Sequence, residues 1–217
     1  LPISCFLNYE LRITNYELIM IWQFKTPGIP DNLFEQLPGI YLSKREVRLL
    51  LISALRMRSD SVLWDIGAGT GTIPVEIGLL CPQAKILAVE RDEEVAGLIR
   101  LNCSQFQVEN VEIVQASAPE CLQKMPLKPN RVCIEGGRPI EQILQESWKY
   151  LQYGGRLVAT ASNLESLYSI SKILAELQAR NIEVVQSAVN RLETRGIHQT
   201  FAAVDPIFIL TGEKLSD

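Results

Sequence analysis

The sequence predicts a doubly wound α/β fold built on a mainly parallel sheet. Short apolar runs alternate with apolar stripes of helical period, a glycine-rich turn follows the first run, and two successive strand patterns close the chain. The 217 residues are enough for one such domain with a sizeable core. We expect seven strands, one of them antiparallel.

The elements follow one another without an internal boundary. Apolar residues at i, i+3, i+4, i+7 and i+8 from Val47 to Leu55 predict the first helix. Five β-α units are expected, with strands at 61–65, 85–90, 111–115, 131–134 and 156–160. Further helices are predicted near 95–106, 140–151 and 167–177. Thr72 is expected to cap the helix after the first strand, with Pro74 in its first turn. Strands at 182–189 and 201–210 form a terminal hairpin.

Composition excludes several classes of function. The net charge of −4 and the pI near 5.2 give no global attraction for nucleic acid. The apolar stretches are shorter than the ~20 residues of a membrane span. The five cysteines form no Cys-x-x-Cys pair and His198 is the only histidine, so we expect no metal site. This cysteine usage fits a reducing compartment, the cytoplasm.

The first residues look like translated repeat DNA. The segment Asn8–Thr14 is partly repeated by Asn15–Leu18, and the chain begins with Leu1. Fewer than two heptads with polar positions do not make a coiled coil. We therefore expect residues 1–24 to be a disordered or non-native extension, with Met20 as the true start, and residues 25–217 to form the folded domain.

The chemistry-bearing motif is the glycine loop after the first strand, Gly67-Ala68-Gly69-Thr70-Gly71. Open α/β sheets bind nucleotides at the carboxyl ends of their strands, and glycines allow the backbone to approach a ligand closely. The dinucleotide fingerprint needs a glycine where Thr72 stands. The carboxylate of Asp65 would repel pyrophosphate but suits S-adenosylmethionine (SAM), which carries an ammonium and a sulfonium group. The loop therefore favours SAM over NAD.

Glu90 ends the second strand, 23 residues after Gly67, and its carboxylate can accept both ribose hydroxyls of the cofactor. Two plainer interpretations stay open. The glycines could simply form a tight turn with Glu90 as a surface charge, and Asp65 could stabilise the fold rather than contact the ligand.

The combination resembles class I methyltransferases of Rossmann-like fold, with 151–158 similar to the turn before their fifth strand. Within that group the chain resembles the CbiT family of cobalamin biosynthesis from about Gly28 to Thr211. The stretches that carry this resemblance are Gly28–Asp31 with Phe34, Pro38–Ile40, Ser43–Arg48, Val62–Gly67 and Ser117–Glu120.

The resemblance implies methylation of C15 of cobalt-precorrin-6B and loss of the C12 acetate carboxyl as carbon dioxide, giving cobalt-precorrin-7. It implies that Ser43, Gly67 to Gly71, Glu90 and Ala118 contact SAM, and that the protein is a homo-oligomer, a tetramer in relatives. Some members carry a fused C5-methylating domain; here a separate partner enzyme is implied. The segment 38–44 is longer than in the family, and the loop 135–139 keeps one Gly-Gly pair where the family often has two.

A tetrapyrrole substrate with many carboxylates requires cationic partners. Guanidinium groups bind carboxylates in bidentate fashion, and ammonium groups pair with them as point charges. The candidates are Lys44, Arg45, Arg48, Arg138, Arg191 and Arg195, of which at least half are expected to be solvated surface charges. His198 could protonate an intermediate, although a lone histidine beside a strand is more often structural. No residue is assigned as catalytic.

Two other functions share the cofactor loop. A methyltransferase acting on RNA or protein would need a basic groove or an added recognition domain, and the sequence indicates neither. A SAM- or NAD-binding module without methyl transfer is distinguished by titration with both cofactors.

Overall fold

Seven strands form one mixed sheet in the computed structural model, which describes residues 21–216. The strands are β1 Val62–Ile66, β2 Lys85–Glu90, β3 Val111–Gln115, β4 Arg131–Ile134, β5 Gly155–Ala161, β6 Arg180–Arg195 and β7 His198–Lys214. Their order is β3-β2-β1-β4-β5-β7-β6, and β7 is antiparallel to both of its neighbours. The prediction of a doubly wound, mainly parallel sheet with one antiparallel strand is confirmed.

Five helices cover the two faces of this sheet. They are α1 Arg45–Leu55, α2 Thr72–Leu80, α3 Glu93–Gln105, α4 Ile140–Tyr150 and α5 Leu164–Glu176. Pro74 lies in the first turn of α2, as expected, because the early N–H groups of a helix need no helical partner. The prediction that Thr72 caps α2 is wrong: Thr72 is its first helical residue, and the cap is Gly71 in left-handed conformation.

The core explains why the strands are apolar on both faces. Leu63 packs with α1 and α2 on one side, whereas Trp64 and Ile66 pack with α4 and α5 on the other. Side chains of a strand alternate between the two faces, so Asp65 points to the same side as Leu63. The same alternation places Cys133 of β4 there, opposite Asp65 in the strand register.

Two connections differ from the sequence prediction. No helix follows β3 in the described chain; the link to β4 contains only a 3-10 turn, Leu122–Lys124, so the third of the five expected β-α units lacks its helix. The terminal hairpin is longer than predicted, since its strands are Arg180–Arg195 and His198–Lys214 instead of 182–189 and 201–210. β7 pairs with β5 only over Phe208–Lys214, and its earlier residues pair with β6 alone. That outer part is a two-stranded ribbon beyond the sheet edge.

The expected start at Met20 and the repeat that motivated it lie outside the described residues. Residue Trp22 is described and packs beside the core cluster of α3. No described helix combines the length and the apolar composition needed to cross a membrane.

Candidate functional site

A cavity of about 560 Å³ opens at the carboxyl ends of β1, β2, β3 and β4. The chain runs from β1 outward to β3 and then returns to β4 on the other side of β1, so this is the switch point at which open α/β sheets bind ligands. Of the residues predicted to contact the cofactor or substrate, those that line it are Ser43, Gly67, Ala68, Gly69, Thr70, Glu90, Ala118 and Arg138.

The glycine loop has the conformation that its composition requires. Gly67, Gly69 and Gly71 have φ values of +76°, +53° and +79°. A Cβ on Gly71 would lie 2.8 Å from Cγ2 of Ile99, and one on Gly67 would lie 3.3 Å from backbone atoms of Gly136. The loop therefore packs closely against α3 at Gly71 and against Gly136 at Gly67, and a side chain at either position would crowd these neighbours.

Glu90 is held at the rim of the cavity by backbone donors. Its Oε2 accepts from the N–H of Gly69 at 3.1 Å, and its Oε1 accepts from the N–H groups of Arg91 and Asp92 at 2.9 and 3.1 Å. These bonds fix the carboxylate between the loop and the start of α3. They also give Glu90 a structural role in addition to any contact with a ligand.

The segment before α1 lies against the glycine loop and contributes to the cavity lining. Tyr41 lines it, and a Cβ on Gly69 would lie 3.4 Å from the carbonyl oxygen of Tyr41. Ser43 is buried, and its hydroxyl donates to Oε2 of Glu135, the residue that follows β4. Ser43 therefore lies in the lining of the cavity, and its contact with SAM stays a prediction.

Asp65 lies outside the cavity lining, behind Glu135. Its side chain is completely buried, and neither carboxylate oxygen has a conventional hydrogen-bond partner within residues 21–216. Oxygens of Asp65 and Glu135 and the Sγ of Cys133 lie within 4.8 Å of one another. Burial, followed by the nearby charge of Glu135, holds the pKa of Asp65 well above its usual range. The absence of a metal stays a prediction.

Glu135 is the functional candidate that the sequence analysis did not single out. Burial raises its pKa to about 7, against the opposing hydrogen bond from Ser43 and the charge of Arg48. Its position could have been inferred from strand alternation. Glu135 is two residues after Cys133, which pairs with Asp65, so its side chain points to the same side of the sheet. Glu135 also directly follows β4 at the switch point. Recognising this required the strand order, which the sequence does not state.

Arg48 is corrected from a substrate-binding candidate to a structural residue. Its side chain is completely buried; Nε donates to Glu76 at 2.8 Å and Nη1 donates to Asp31 at 2.7 Å. The same guanidinium also donates to the backbone carbonyls of Ser43 and Ile29. All three nitrogens therefore have internal partners, and none faces the cavity.

The other cationic candidates are dispersed. Arg138 lines the cavity and is exposed, and Lys44 is exposed next to Ser43. Arg45 pairs with Glu46 on the surface at 3.1 Å. The guanidinium of Arg191 binds Glu46 and Asp31. It therefore ties the ribbon to α1 instead of facing the cavity.

The remaining two candidates are at the end of the ribbon. Arg195 ends β6 opposite His198 in the register of the hairpin. His198 is exposed and is not part of the cavity lining. The structure does not bring His198 to the glycine loop.

Comparison with known proteins identifies the family. The model of the precorrin methyltransferase domain matches residues 34–214. The probable cobalt-precorrin-6B C(15)-methyltransferase (decarboxylating) of Saccharolobus solfataricus is 33% identical, over 90% of this chain and 100% of that protein. The protein with the same description from Pyrobaculum calidifontis is 36% identical, over 88% of this chain and 98% of its own length.

A solved structure agrees with the sequence relatives. The precorrin-6y C5,15-methyltransferase structure from Geobacter metallireducens superimposes with a TM-score of 0.81 at 33% identity, covering 87% of this chain and 98% of that one. Both the predicted Rossmann-like methyltransferase fold and the resemblance to the CbiT family are thereby confirmed. This chain belongs to the precorrin methyltransferase family.

Proposed function

We propose that this protein methylates C15 of cobalt-precorrin-6B with SAM and removes the C12 acetate carboxyl as carbon dioxide, giving cobalt-precorrin-7. The observation that carries this is the coincidence of two facts. The relatives named for this reaction are similar over nearly the whole domain, and the cavity at the switch point is lined by the glycine loop and the acid expected for SAM.

The residues present fit the cofactor. Gly67 of the glycine loop, the carboxylate of Glu90 at the end of β2 and the small side chain of Ala118 after β3 line the same cavity. Ser43 and the loop Gly67–Gly71 complete the proposed SAM contacts, with Asp65 acting from behind. When bound, SAM supplies an electrophilic methyl group on a sulfonium.

The protein's own contribution is binding and orientation. Methyl transfer to an electron-rich ring carbon depends on in-line placement more than on a strong base. Arg138, exposed at the cavity, and Lys44 are the cations that we propose pair with substrate carboxylates. Electrons released by decarboxylation are taken up by the imine system of the macrocycle, so no protein electron sink is needed.

The test is incubation of the purified protein with SAM and cobalt-precorrin-6B, followed by mass spectrometry of the corrinoid and detection of carbon dioxide. The expected product has gained one methyl group and lost one carboxyl. Methylation without carbon dioxide would retain the enzyme class but refute the decarboxylating function. Absence of both products, with folded protein, would refute the proposal.

The substrate contact is tested separately. Arg138→Ala is expected to raise KM for the corrinoid, with a smaller effect on KM for SAM. Arg58→Ala is the matched control, because Arg58 is exposed and pairs with nearby Asp60 on the surface. Equal KM values for wild type and Arg138→Ala would remove Arg138 from the proposed site.

A second copy of the chain is the proposed protein partner. The outer ribbon exposes apolar side chains that a monomer leaves in water: Leu192, Ile197 and Phe201 are 54%, 92% and 73% exposed. A tetramer, as expected from the family, would cover them. Light scattering of wild type and Phe201→Ser tests this, and a monomeric wild type would contradict it. A separate C5-methyltransferase and a cytoplasmic location remain predictions.

A further inference from the structure

We propose that Asp65 and Glu135 form a charge-sensing pair that releases a proton to solvent when the cationic cofactor binds, so that SAM binding is coupled to deprotonation of Glu135. The inference rests on the proposed use of SAM. It gives Glu135 a positioning role toward the charge of the cofactor, which neither the family relationship nor the sequence motif assigns.

The geometry that carries this is a fully buried carboxyl group, Asp65, next to a partly buried one, Glu135, that lines the cavity. Oxygens of Asp65 and Glu135 lie within 4.8 Å of each other, and Asp65 is 0% exposed. Neither carboxylate oxygen of Asp65 accepts a conventional hydrogen bond, whereas Glu135 accepts one from the hydroxyl of Ser43. Over residues 21–216, no lysine or arginine forms a salt bridge with either carboxyl.

The groups around the pair do not supply the missing positive charge. The thiol of Cys133 from β4 is buried, and its pKa is raised by burial, so it remains a neutral, weak donor. Glu90 from β2 adds negative charge near the pair. Tyr41, from the segment before α1, adds no positive charge, because burial raises the pKa of its phenol. Arg48 of α1 acts on Glu135 only at a distance, because its nitrogens are bonded to Asp31, Glu76 and two carbonyls.

Two ionised carboxylates at this separation in a low-dielectric site repel each other strongly. Without a ligand the pair therefore keeps a proton at neutral pH. Because Glu135 lines the cavity, a proton leaving it can reach solvent by that route, whereas Asp65 is screened behind it. A cation placed beside Glu135 would favour the ionised form.

SAM suits such a pair because it carries two positive charges, the sulfonium and the ammonium, against one carboxylate. The reaction removes the sulfonium charge, so S-adenosylhomocysteine brings one positive charge fewer to the site. The pair would then hold its proton more firmly with the product than with SAM. The expected consequence is that proton release is greater on binding SAM than on binding S-adenosylhomocysteine.

The size of the effect follows from linkage. Burial sets the pKa of Glu135 at about 7 in the unliganded protein. If the ligand requires the ionised form, the Kd at pH 6 is about tenfold higher than at pH 8 through this group alone. The amine of SAM itself titrates near an α-amino pKa of about 7.7–8.0 and works in the opposite direction. Because the amine of SAM contributes equally to both proteins, comparing wild type with a variant at position 135 isolates the contribution of Glu135 to the pH dependence of Kd.

The experiment is calorimetric titration of SAM into wild type, Glu135→Gln and Glu141→Gln at pH 6, 7 and 8, in buffers of different ionisation enthalpy. Glutamine keeps an acceptor for the Ser43 hydroxyl but cannot ionise. Glu141 is an exposed acid of α4 and controls for the loss of one charge. Wild type and Glu141→Gln should show a ratio of Kd between pH 6 and pH 8 about tenfold larger than that of Glu135→Gln. They should also release more protons at pH 7.

Each result decides between the two proposals. Equal pH dependence and equal proton release in wild type and Glu135→Gln would overturn the coupling while leaving the methyltransferase function intact. No SAM binding by folded wild type at any of the three pH values would overturn both. Should Glu135→Gln fail to fold, the wild type alone decides: greater proton release with SAM than with S-adenosylhomocysteine supports the pair, and equal release contradicts it.

Discussion

Replacing Glu135 by glutamine should make the unliganded protein more stable at alkaline pH and leave it unchanged at acidic pH. The folded pKa of Glu135 is raised by burial from its ordinary value of 4.5 to about 7. A carboxyl whose pKa is higher in the folded state stabilises the fold least when pH lies above both values, because folding must then bury its charge. The difference corresponds to about 3 kcal/mol at 1.36 kcal/mol per pH unit.

The assay is urea denaturation of ligand-free wild type and Glu135→Gln at about pH 5 and about pH 8. At the lower pH Glu135 is protonated in the folded state, so the two proteins should differ by less than about 1 kcal/mol. At the higher pH the variant should exceed wild type by about 3 kcal/mol. Glu141→Gln is the matched control for the loss of one acid, since its side chain is exposed. A variant that is less stable than wild type by the same amount at both pH values would refute the reasoning.

Gly71→Ala should lower the free energy of unfolding by about 2 kcal/mol, because the residue has φ +79° and its new Cβ would meet Ile99 at 2.8 Å. Gly97→Ala, in open space on α3, should instead raise it by about 0.5–1 kcal/mol; equal effects in thermal denaturation would contradict the strain argument. Arg191→Ala should cost about 1 kcal/mol at pH 7, since its pair with Glu46 is partly exposed. The hydrogen bond from Arg191 lowers the pKa of Glu46 to about 2, so this stability is present above about pH 4.5 and is lost toward pH 2. An NMR titration in which the pKa of Glu46 stays near 2 in Arg191→Ala would contradict it.

The inner strands β2 and β4 were predictable because they are buried and appear in the sequence as short apolar runs, and they have the predicted bounds 85–90 and 131–134. The edge strand β3 also has its predicted bounds, 111–115, although its residues are only partly buried or exposed. The outer part of the hairpin was not predictable from this signal. Its residues Leu192, Ile197 and Phe201 are apolar but exposed, so no alternation of buried and exposed positions marks where the ribbon ends.

The glycine loop was predictable because local sequence determines it, whereas Ser43 was implied only by the family resemblance. A turn that needs positive φ requires glycine wherever it stands in the fold. Arg48 illustrates the opposite case. An arginine at the start of an amphipathic helix is typical of a solvated charge, and only the approach of Asp31 and Glu76 from distant segments makes it a buried ion pair.

Glu135 lies between these cases. The sequence alone gives no reason to single out a carboxyl that follows a buried strand. Glu135 comes close to Asp65 only because β4 lies beside β1 in a register that places Cys133 opposite Asp65. Side-chain alternation then brings both acids to one side of the sheet, at the edge where the chain reverses its order. A fold that concentrates uncompensated negative charge beside its ligand cavity is less stable at neutral pH without a cation. The same charge pair that limits the stability of the empty protein is therefore the feature expected to favour a sulfonium over its neutral product.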